Sequence, residues 1–562
     1  MSMRSASATS DRPGLLERLV PLSSELADYN RAWLPGDLAA AITVWAIVVP
    51  ESMAYASVAG MPPETGLYAA TIPLLAYALL GSSRRITVGP SAAVAALSFA
   101  TVAPFVAAGT DEFVGLTILL AFATGVLLIL AGMARLGVIA DFLSEPVLKG
   151  FVVGVALTIT LGQLGKLFRI ETQGEGFFLE AWDLISQLTD LHLPTLVVGA
   201  ACLVGLFSLE HFLPRIPAAL VVVVGSILAV NLFDLVDAGV LVAGEIPAGL
   251  PSIALPTIDW TVVVGLVPGA IGVAVVVYGE TMALSKTFSG KHGERVDPNQ
   301  ELVALGVANT AGGLFGAFVT NGSSSRSAAA DASGQKSQVS SLVVVALLIV
   351  TLLFLTLLFA DLPEAALGAI VIHAVLSLIR FGPIAALRER NRVDFWAAVA
   401  TLLGVLILDV LAGLLIGVVV SLAGLMQRAV RPRITWMGRD QATGRFVDRS
   451  EEGAVTVEGV SVVGVGAELF FANIGPFRDA VMSEVESQAP GAVVLDAEAV
   501  SDIDTTAADE IVKLARELED RGVSLVFARL APQARSALNA AGMSLEANDY
   551  AHVSEAVTDY SS

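Results

Sequence analysis

Cysteine and histidine are scarce in this chain. Of its 562 residues, one is a cysteine (Cys202) and five are histidines. A single cysteine excludes an intramolecular disulfide and a thiolate metal cluster, and the scattered histidines show no metal-ligand spacing. Serine, histidine and aspartate residues occur without the context of a nucleophile elbow. The sequence therefore predicts neither a metal nor an organic cofactor, and no enzyme active site.

Charged residues are also few, and basic ones fewest. They make up 15% of the chain, where an ordinary soluble protein has about a quarter. Lysine and arginine number 32 against 53 aspartates and glutamates, which leaves a net charge of −21. The chain lacks the basic surface that nucleic-acid binding needs, so we exclude nucleic acid as a partner.

Long apolar runs take the place of the missing charges. Hydrophobic residues account for 55% of the chain and the mean hydropathy is +0.75. Runs of the roughly 20 residues that a helix needs to cross a bilayer recur from about Leu38 to Leu425. We expect about twelve full spans and two short segments, hence an α-helical polytopic membrane protein. Residues 1–36 lack the apolar core of a signal peptide, and we assign them as a cytoplasmic or interfacial N-terminal segment.

The basic residues predict an orientation, because cytoplasmic loops retain them while translocated loops lose them. If the segments alternate, Lys166 and Arg169 fall on one side and most other basic residues on the opposite side. That larger group consists of Arg84, Arg85, Arg135, Arg215, Lys286, Lys291, Arg295, Arg380, Arg388, Arg390, Arg392, Arg428, Arg431 and Arg433. We therefore place both termini in the cytoplasm.

The C-terminal part of the chain has a different composition. From Arg433 onward there are ten basic and 22 acidic residues, a net charge of −12 out of the total of −21. Strand and helix patterns alternate there, with strands at 454–463, 492–495 and 523–527 and helices at 476–487 and 505–521. Such alternation predicts a small cytoplasmic α/β domain. We place it at residues 431–562, after a transmembrane transport domain at residues 37–430.

Two short segments in the transmembrane part combine glycine, hydroxyl residues and an alanine-rich helical run. One spans residues 88–96, and the other spans residues 322–334 and contains Arg326. Interrupted segments in the two halves of a membrane protein are typical of the midplane binding site of a secondary transporter, and the arginine indicates an anion. Pro90 suits the first position of the helix that follows it.

Several motifs, in this order, resemble those of the sulfate permease (SulP) family. Near the start they are Asp37-Leu38-Ala39-Ala40-Ala41, Val49-Pro50-Glu51-Ser52-Met53-Ala54-Tyr55-Ala56, Gly66-Leu67-Tyr68, Gly81-Ser82-Ser83-Arg84 and Val88-Gly89-Pro90. Later ones are Lys286-Thr287-Phe288, the run Asn299 to Gly306 with Asn309, and Ser325-Arg326-Ser327. Residues 493–497 and 502–507 resemble the core of a STAS domain. The resemblance covers the chain from about Asp37 through its C-terminal domain.

The resemblance implies a uracil-permease-like fold of 14 segments in a 7+7 inverted repeat, divided into core and gate domains that move like an elevator. It also implies a homodimer. In this fold the third and tenth segments face each other across the anion, which gives Gly89, Ser91, Ser324, Ser325 and Arg326 as substrate-binding residues. Alternatively, the serines pack between helices, and Arg326 pairs with Asp331 or another carboxylate.

Two carboxylates interrupt apolar segments. Burial penalises the ionised form of Glu280, which makes it a candidate proton carrier; core hydrogen bonds or a pair with Arg326 are the alternatives. Glu51 stands where the family usually has glutamine, one turn before Tyr55, so we expect both to face the substrate; a gating or capping role for Glu51 is the alternative. Sodium has less support than the proton as the driving ion, because Leu284 adds no oxygen ligand beside Glu280.

The resemblance to STAS domains indicates regulation. In related antagonist proteins a hydroxyl at the matching turn is phosphorylated, which makes Thr505 and Thr506 candidate phosphorylation sites and a regulatory protein a candidate partner. The simpler interpretation is that Asp504 or Thr505 caps the following helix.

Together these features predict a bacterial inner-membrane symporter that couples protons to uptake of sulfate, bicarbonate, chloride or a dicarboxylate. The alternatives are an anion exchanger, a sodium-coupled bicarbonate transporter, a nucleobase-type permease, and a channel or membrane sensor. Arg326 and the STAS-like domain count against a nucleobase permease. Saturable accumulation against a gradient would exclude a channel.

Overall fold

The structure is a computed structural model that describes residues 20–137, 144–170, 172, 176–213, 216–253, 260–545 and 548–561. Contacts divide the chain into two compact units, of which the first ends at Ser421 and the second begins at Leu422.

The first unit is built from helices. They are α1 (Pro21–Ala27), α2 (Leu34–Val58), α3 (Pro63–Leu80), α4 (Ala92–Val102), α5 (Asp111–Met133), α6 (Glu145–Phe168), α7 (Phe177–Ser186), α8 (Leu193–Phe212), α9 (Ala218–Leu232), α10 (Trp260–His292), α11 (Pro298–Leu314), α12 (Ser324–Ala332), α13 (Val339–Val350), α14 (Glu364–Leu376), α15 (Gly382–Arg390), α16 (Arg392–Ile407) and α17 (Val410–Val430). A π-helical turn at Thr351–Leu355 and a 3₁₀ turn at Thr356–Phe359 extend α13. Helix α17 begins in the first unit and ends in the second.

Seven helical stretches in the described part of the chain are long and apolar enough to cross a membrane. They are fewer than the twelve full spans that the hydropathy of the sequence predicts. The difference arises because several apolar runs form shorter helices, such as α9 and α14, with 15 and 13 residues. A hydropathy average assigns such runs as full spans, because it contains no information on where a helix ends.

A two-stranded ribbon lies in the interior of the first unit. Strand β1 (Val88–Gly89) pairs antiparallel with β2 (Asn321–Gly322), and all four residues are buried. Each strand leads into a short helix, α4 after β1 and α12 after β2. With α1, α7 and α15 set aside, these helices are third and tenth in chain order, the positions expected in a 7+7 inverted repeat. The repeat itself stays a prediction.

Small residues let the helices of this unit approach closely. A methyl group on Gly306 of α11 would lie 2.7 Å from the backbone nitrogen of Ile129 in α5, nearer than side chains tolerate. On α6, a methyl group on Gly150 would collide with the carbonyl of Ala398 in α16. Backbone-to-backbone packing at glycine is the usual means by which membrane helices associate.

The second unit is an α/β domain. Its strands are β3 (Ile434–Asp440), β4 (Phe446–Asp448), β5 (Ala454–Val455), β6 (Val460–Val465), β7 (Ala492–Asp496), β8 (Ser524–Ala528) and β9 (Asp549–Tyr550), and its helices after α17 are α18 (Ile474–Gln488), α19 (Thr505–Glu519), α20 (Pro532–Ala540) and α21 (Val553–Tyr560). The sheet runs in the order β4-β3-β6-β7-β8-β9, with β5 paired to β3. Strands β6 to β9 are parallel and β3 to β5 antiparallel.

Alternation along the buried strands supplies an apolar layer on each face of this sheet. Val493 and Leu495 of β7 pack in the cluster that contains α18, α19 and α20, while Val494 packs with α21 on the other face.

The helices and two of the strands expected in this domain lie within a few residues of their predicted bounds. The valine-rich stretch 454–463 instead forms two strands, because the chain turns at Gly459 with φ of +78°, a backbone region that favours glycine. Strands β3 and β4 were missed, since their mixed polar sequence lacks a strand pattern.

We predict that the chain can be cut after Val430. The C-terminal domain has apolar clusters of its own on both faces of its sheet, built from described residues between 434 and 560, so residues 431–562 should fold alone with one cooperative thermal transition. The remaining membrane part should elute as a single species in detergent. Circular dichroism and size-exclusion chromatography of the two pieces measure this, and a non-cooperative C-terminal piece would contradict it.

Candidate functional site

The ribbon brings the starts of α4 and α12 to one cavity. Ser91 is the N-cap residue of α4 and Ser323 that of α12. Ser323 Oγ accepts a hydrogen bond from the backbone N–H of Arg326 at 3.4 Å, while Ser91 Oγ is buried without a partner. The first turn of a helix carries unpaired N–H groups and a partial positive charge. Two such starts beside one cavity form a favourable environment for an anion.

Arg326 supplies a full positive charge behind these helix starts. Its side chain is fully buried, and Nη2 donates to the carbonyl oxygen of Pro90 at 2.6 Å. Nε and Nη1 have no hydrogen-bond partner among the described residues. Gly89 lies directly over the guanidinium, because a methyl group there would lie 3.2 to 3.4 Å from its atoms. Helix α4 begins at Ala92, so the prediction that Pro90 opens this helix is wrong; its carbonyl holds the arginine instead.

Asp331 does not neutralise Arg326. Its carboxylate lies 2.5 Å from Lys291 Nζ, 2.8 Å from His292 Nε2 and 3.6 Å from Arg85 Nη1. The alternative in which Asp331 pairs with Arg326 is therefore excluded by the geometry. The guanidinium keeps most of its charge uncompensated, which is costly unless an anion or a carboxylate approaches it.

Glu280 connects α10 to the ribbon. Its Oε2 accepts a hydrogen bond from Asn321 Nδ2 at 2.6 Å. The next residue, Thr281, accepts at Oγ1 from the backbone N–H of Gly322 at 2.8 Å. Two consecutive residues of α10 thus hold both residues of β2. Sequence analysis assigned no role to Asn321, although its position directly before Gly322 marks it as part of the interrupted segment.

Glu51 and Tyr55 of α2 line the cavity together, at the spacing of one helical turn. Glu51 Oε2 is buried and lacks a hydrogen-bond partner. Its charge interacts with that of Arg326, although the two form no ion pair among the described residues. The carboxylate of Glu51 can therefore change the electrostatic potential of the site without neutralising Arg326 in an ion pair.

The cavity has a volume of about 1470 Å³. It is lined by six of the predicted residues, Glu51, Tyr55, Ser91, Glu280, Ser324 and Ser325, while Gly89 and Arg326 lie behind its wall. From there it extends along α2 back to Ile42 and reaches the first turn of α6 and the last turns of α12 and α14. It therefore opens on the side where α2 begins.

Three further ionisable residues line the open end and were not predicted. Glu145 begins α6 and pairs with Lys149 at 2.8 Å, and Glu210 of α8 pairs with His373 of α14 at 2.8 Å. Nothing in the sequence marks these residues, because they come together only when the ends of three helices meet.

Other buried acids in this unit are fully engaged. Glu301 accepts from Tyr77 Oη at 2.7 Å and from Ser82 N and Oγ at 2.8 Å each. Asp37 accepts from Lys336 N at 2.7 Å and from Ser337 Oγ at 2.6 Å. These acids stabilise the fold. By contrast, Glu51, Ser91 and Arg326 all retain unpaired polar atoms, and so does Asn321 at Oδ1, so several groups around the ribbon have unmet hydrogen-bonding capacity.

In the C-terminal domain, Asp504 is the N-cap of α19 and accepts from the backbone N–H of Ala507 at 2.7 Å. This supports the simpler interpretation of the turn. Thr505 and Thr506 are exposed at the first two helical positions, so both are accessible, and their phosphorylation stays a prediction. Among the described residues, no group of three or more histidine, cysteine or acidic side chains could hold a metal ion.

The sequence matches the model of the sulfate permease family over residues 34–401 and that of the STAS domain over residues 453–556. The chain belongs to the sulfate permease family. It is therefore a multi-pass membrane protein of an anion transporter family, with a C-terminal STAS domain. A transporter of this family needs no enzyme active site.

Relatives in this family are similar over almost their whole length. A probable sulfate transporter of Mycobacterium tuberculosis strain H37Rv is 36% identical over 92% of this chain and 93% of its own. Sulfate transporter 1.1 of Arabidopsis thaliana is 29% identical, over 92% of this chain and 84% of its own.

Solved structures share the fold. Murine Solute Carrier 26 family member A9, an anion transporter in the inward-facing state, has a TM-score of 0.90 with 24% identity, over 100% of this chain and 96% of its own. The transmembrane domain of a cyanobacterium bicarbonate transporter, BicA, has a TM-score of 0.60 with 21% identity, over 70% of this chain and 98% of its own.

We predict that Gly89→Ala weakens anion binding. The added methyl group would lie against the Arg326 guanidinium and push it from its position under the ribbon, which should lower the affinity about tenfold. Gly115→Ala in α5 is the control, because nothing lies within 4 Å of a methyl group there. Anion-dependent thermal stabilisation of the purified protein measures the change, and equal affinity of both variants would contradict it.

Proposed function

We propose that this family member is a secondary active transporter that takes up a small anion together with protons. The observation that carries this proposal is the buried Arg326 guanidinium, with one hydrogen bond, behind two helix starts that open to one cavity. A buried charge with free donors is stabilised by a mobile partner of opposite sign. An anion in the cavity meets that need without contacting the guanidinium directly.

For the substrate, we infer an oxyanion, with sulfate as the first candidate. Both relatives described above carry the name of sulfate transporters. Hydroxyls of Ser324 and Ser325, exposed at the start of α12, are donors suited to oxyanion oxygens. Glu51 argues for keeping monovalent bicarbonate in the test, because a second carboxylate beside the site disfavours a divalent anion, sulfate or a dicarboxylate, unless Glu51 is protonated.

Proton coupling follows from the charges around the cavity. With Glu51 and Glu280 both ionised, two negative charges oppose the single positive charge of Arg326. Protonation of Glu280 removes one of them and changes the hydrogen bond that holds Asn321 in β2. The anion therefore binds more favourably to the protonated site, which is the thermodynamic requirement for symport. Glu280 is the proton-coupling residue in this proposal and Glu51 modulates it.

An elevator-like movement is supported by how the helices pack. Helix α11 packs against α5 and α3, whereas α6 packs against α14 and α16, and α14 also against α8. The ribbon and Glu280 belong with the first group, as a core, and the second group forms the gate. The cavity has walls from both groups, so sliding one against the other would carry the site across the membrane.

We further propose that the protein lies in the inner membrane of a bacterium as a homodimer, with both termini in the cytoplasm. The excess of basic residues in the loops on the side of the termini supports this orientation. The cavity then opens to the cytoplasm. The exposed Thr505 and Thr506 make the STAS domain a candidate regulatory platform for a cytoplasmic protein.

The decisive experiment is uptake of labelled sulfate, bicarbonate, chloride, fumarate and uracil into proteoliposomes, with an inward proton gradient, a sodium gradient or neither. We expect saturable accumulation of one anion that the proton gradient drives. Exchange that is independent of any gradient would mean that the protein is an anion exchanger and not a symporter. Uptake of uracil, or flux that never saturates, would reject an anion carrier.

We also predict that Glu280→Gln abolishes proton-driven accumulation of that anion. The amide stays neutral at every pH, so it carries no proton but retains an oxygen that accepts from Asn321. Anion binding should stay within about threefold of the unchanged protein, measured by thermal stabilisation. Glu112→Gln, an exposed acid at the start of α5, is the matched control. Full proton-driven accumulation in Glu280→Gln would show that another group carries the proton.

A further inference from the structure

The segment around α15 carries basic side chains that the protein itself does not neutralise. Arg388, Arg390 and Arg392 are exposed, and none of them forms an ion pair or side-chain hydrogen bond within the part of the chain that the structure describes. Arg380, just before the helix, is also exposed, and its Nε donates to the carbonyl oxygen of Ser377 at 2.9 Å. Two acids, Glu389 in the helix and Asp394 after it, leave the segment from Arg380 to Trp396 with four basic residues against two acidic ones.

Helix α15 is fixed to the membrane helices by one apolar stripe. Ile384 and Leu387 are buried and pack in one cluster with Val153 of α6 and Ala398 of α16. With 3.6 residues per turn, Arg388 and Arg390 lie on either side of this stripe. The helix therefore packs against the third turn of α6 and the second turn of α16, with its arginines directed to its flanks, an amphipathic arrangement that also occurs in helices at a membrane surface.

Large exposed aromatic rings lie close to helix α15. Phe381, directly before α15, is 53% exposed, and Trp396, in the second turn of α16, is 61% exposed. The ring of Trp396 meets that of Phe395 edge-on at 5.3 Å, and Phe395 packs against the α15 cluster. Aromatic residues concentrate where the hydrocarbon of a bilayer meets its headgroups. Exposed rings beside exposed arginines are thus the combination expected at the depth of the headgroups.

We propose that α15 and the residues flanking it, Arg380 to Trp396, form a binding surface for the headgroups of anionic phospholipids. Arg388, Arg390 and Arg392 contact the phosphates, and Phe381 and Trp396 lie among the upper acyl chains. Charge complementarity selects this occupant, because the surface has unpaired guanidinium groups and an anionic bilayer surface attracts such groups by about 1 kcal/mol each. An acidic protein would account for the arginines but not for the exposed rings.

This surface has a physical connection to the cavity. The helix that α15 packs against, α6, lines the cavity with Leu148, Val152 and Val155. The segment that leads into α15 lines it as well, through Ser377 and Leu378. Lipid bound to α15 therefore stabilises the gate helices on which transport depends, and anionic lipid should raise the transport rate.

The position of Trp396 allows a direct test of the lipid contact. The purified full-length protein is reconstituted into phosphatidylcholine vesicles that contain either brominated phosphatidylglycerol or brominated phosphatidylcholine. Bromine quenches nearby tryptophan fluorescence, and the difference from Trp396→Phe isolates the signal of this residue. We expect brominated phosphatidylglycerol to associate at Trp396 about fivefold more strongly or better.

Three variants test whether the arginines cause the preference for phosphatidylglycerol. Arg388→Gln with Arg390→Gln and Arg392→Gln should abolish the preference for phosphatidylglycerol, whereas the three matching changes to lysine should preserve it. Arg439→Gln with Arg445→Gln and Arg516→Gln removes the same charge from exposed positions of the C-terminal domain and should leave the preference intact. Equal quenching by the two brominated lipids in the unchanged protein would overturn the proposal, as would a preference that survives the glutamine triple variant.

The initial rate of anion uptake provides the second measurement. It should rise with the phosphatidylglycerol content in the unchanged protein and in the C-terminal control, and respond several-fold less in the glutamine triple variant. Quenching reports the lipid contact without transport, so failure of the proposed transport function would leave it measurable. A rate that responds equally to lipid in all variants would show that lipid acts on transport elsewhere.

Discussion

The first unit of this protein is organised around the positive charge of Arg326. The guanidinium is fully buried and makes a single hydrogen bond among the described residues, to the carbonyl oxygen of Pro90, and removing such a group from water costs several kcal/mol unless a partner compensates it. The fold supplies partial compensation by placing the arginine behind the β1–β2 ribbon and beside Glu51. The rest must come from outside the protein, which ties the stability of this region to the presence of an anion.

The polar groups around Arg326 are of two kinds, those whose hydrogen-bonding capacity is met and those whose capacity is not. Glu301 and Asp37 are held by several donors each, and Asn309 exchanges hydrogen bonds with Thr320. These groups give a rigid frame, since breaking any of them would leave a buried polar atom unpaired. Among the groups with unmet capacity, Glu51 and Ser91 line the cavity, and Arg326 and Asn321 lie directly behind it. A rigid frame around a centre with unpaired polar groups allows one site to bind and release an ion repeatedly without unfolding.

Sequence alone was informative where local chemistry determines the outcome. The glycine and serine patterns located the two interrupted segments at the cavity, though not the ribbon that joins them, and the spacing of Glu51 and Tyr55 put both on one cavity wall. It failed where the answer depends on tertiary contacts. Asn321 contacts Glu280 across 41 positions of chain, and Glu210 meets His373 across 163, so no local pattern announces either pair. Pro90 was misplaced because its carbonyl is recruited by a side chain 236 residues away.

The ribbon has a consequence for how the protein is made. Strand β1 comes from the first half of the chain and β2 from the second, with Gly89 opposite Asn321. While the ribosome is still synthesising the second half, the N–H and C=O groups of β1 lack their partners at a depth where water does not replace them. The first half therefore inserts as a metastable intermediate, and this high contact order makes closure of the ribbon a late, rate-limiting step. Biogenesis should accordingly be most vulnerable to truncation and ribosome stalling before Asn321 has emerged.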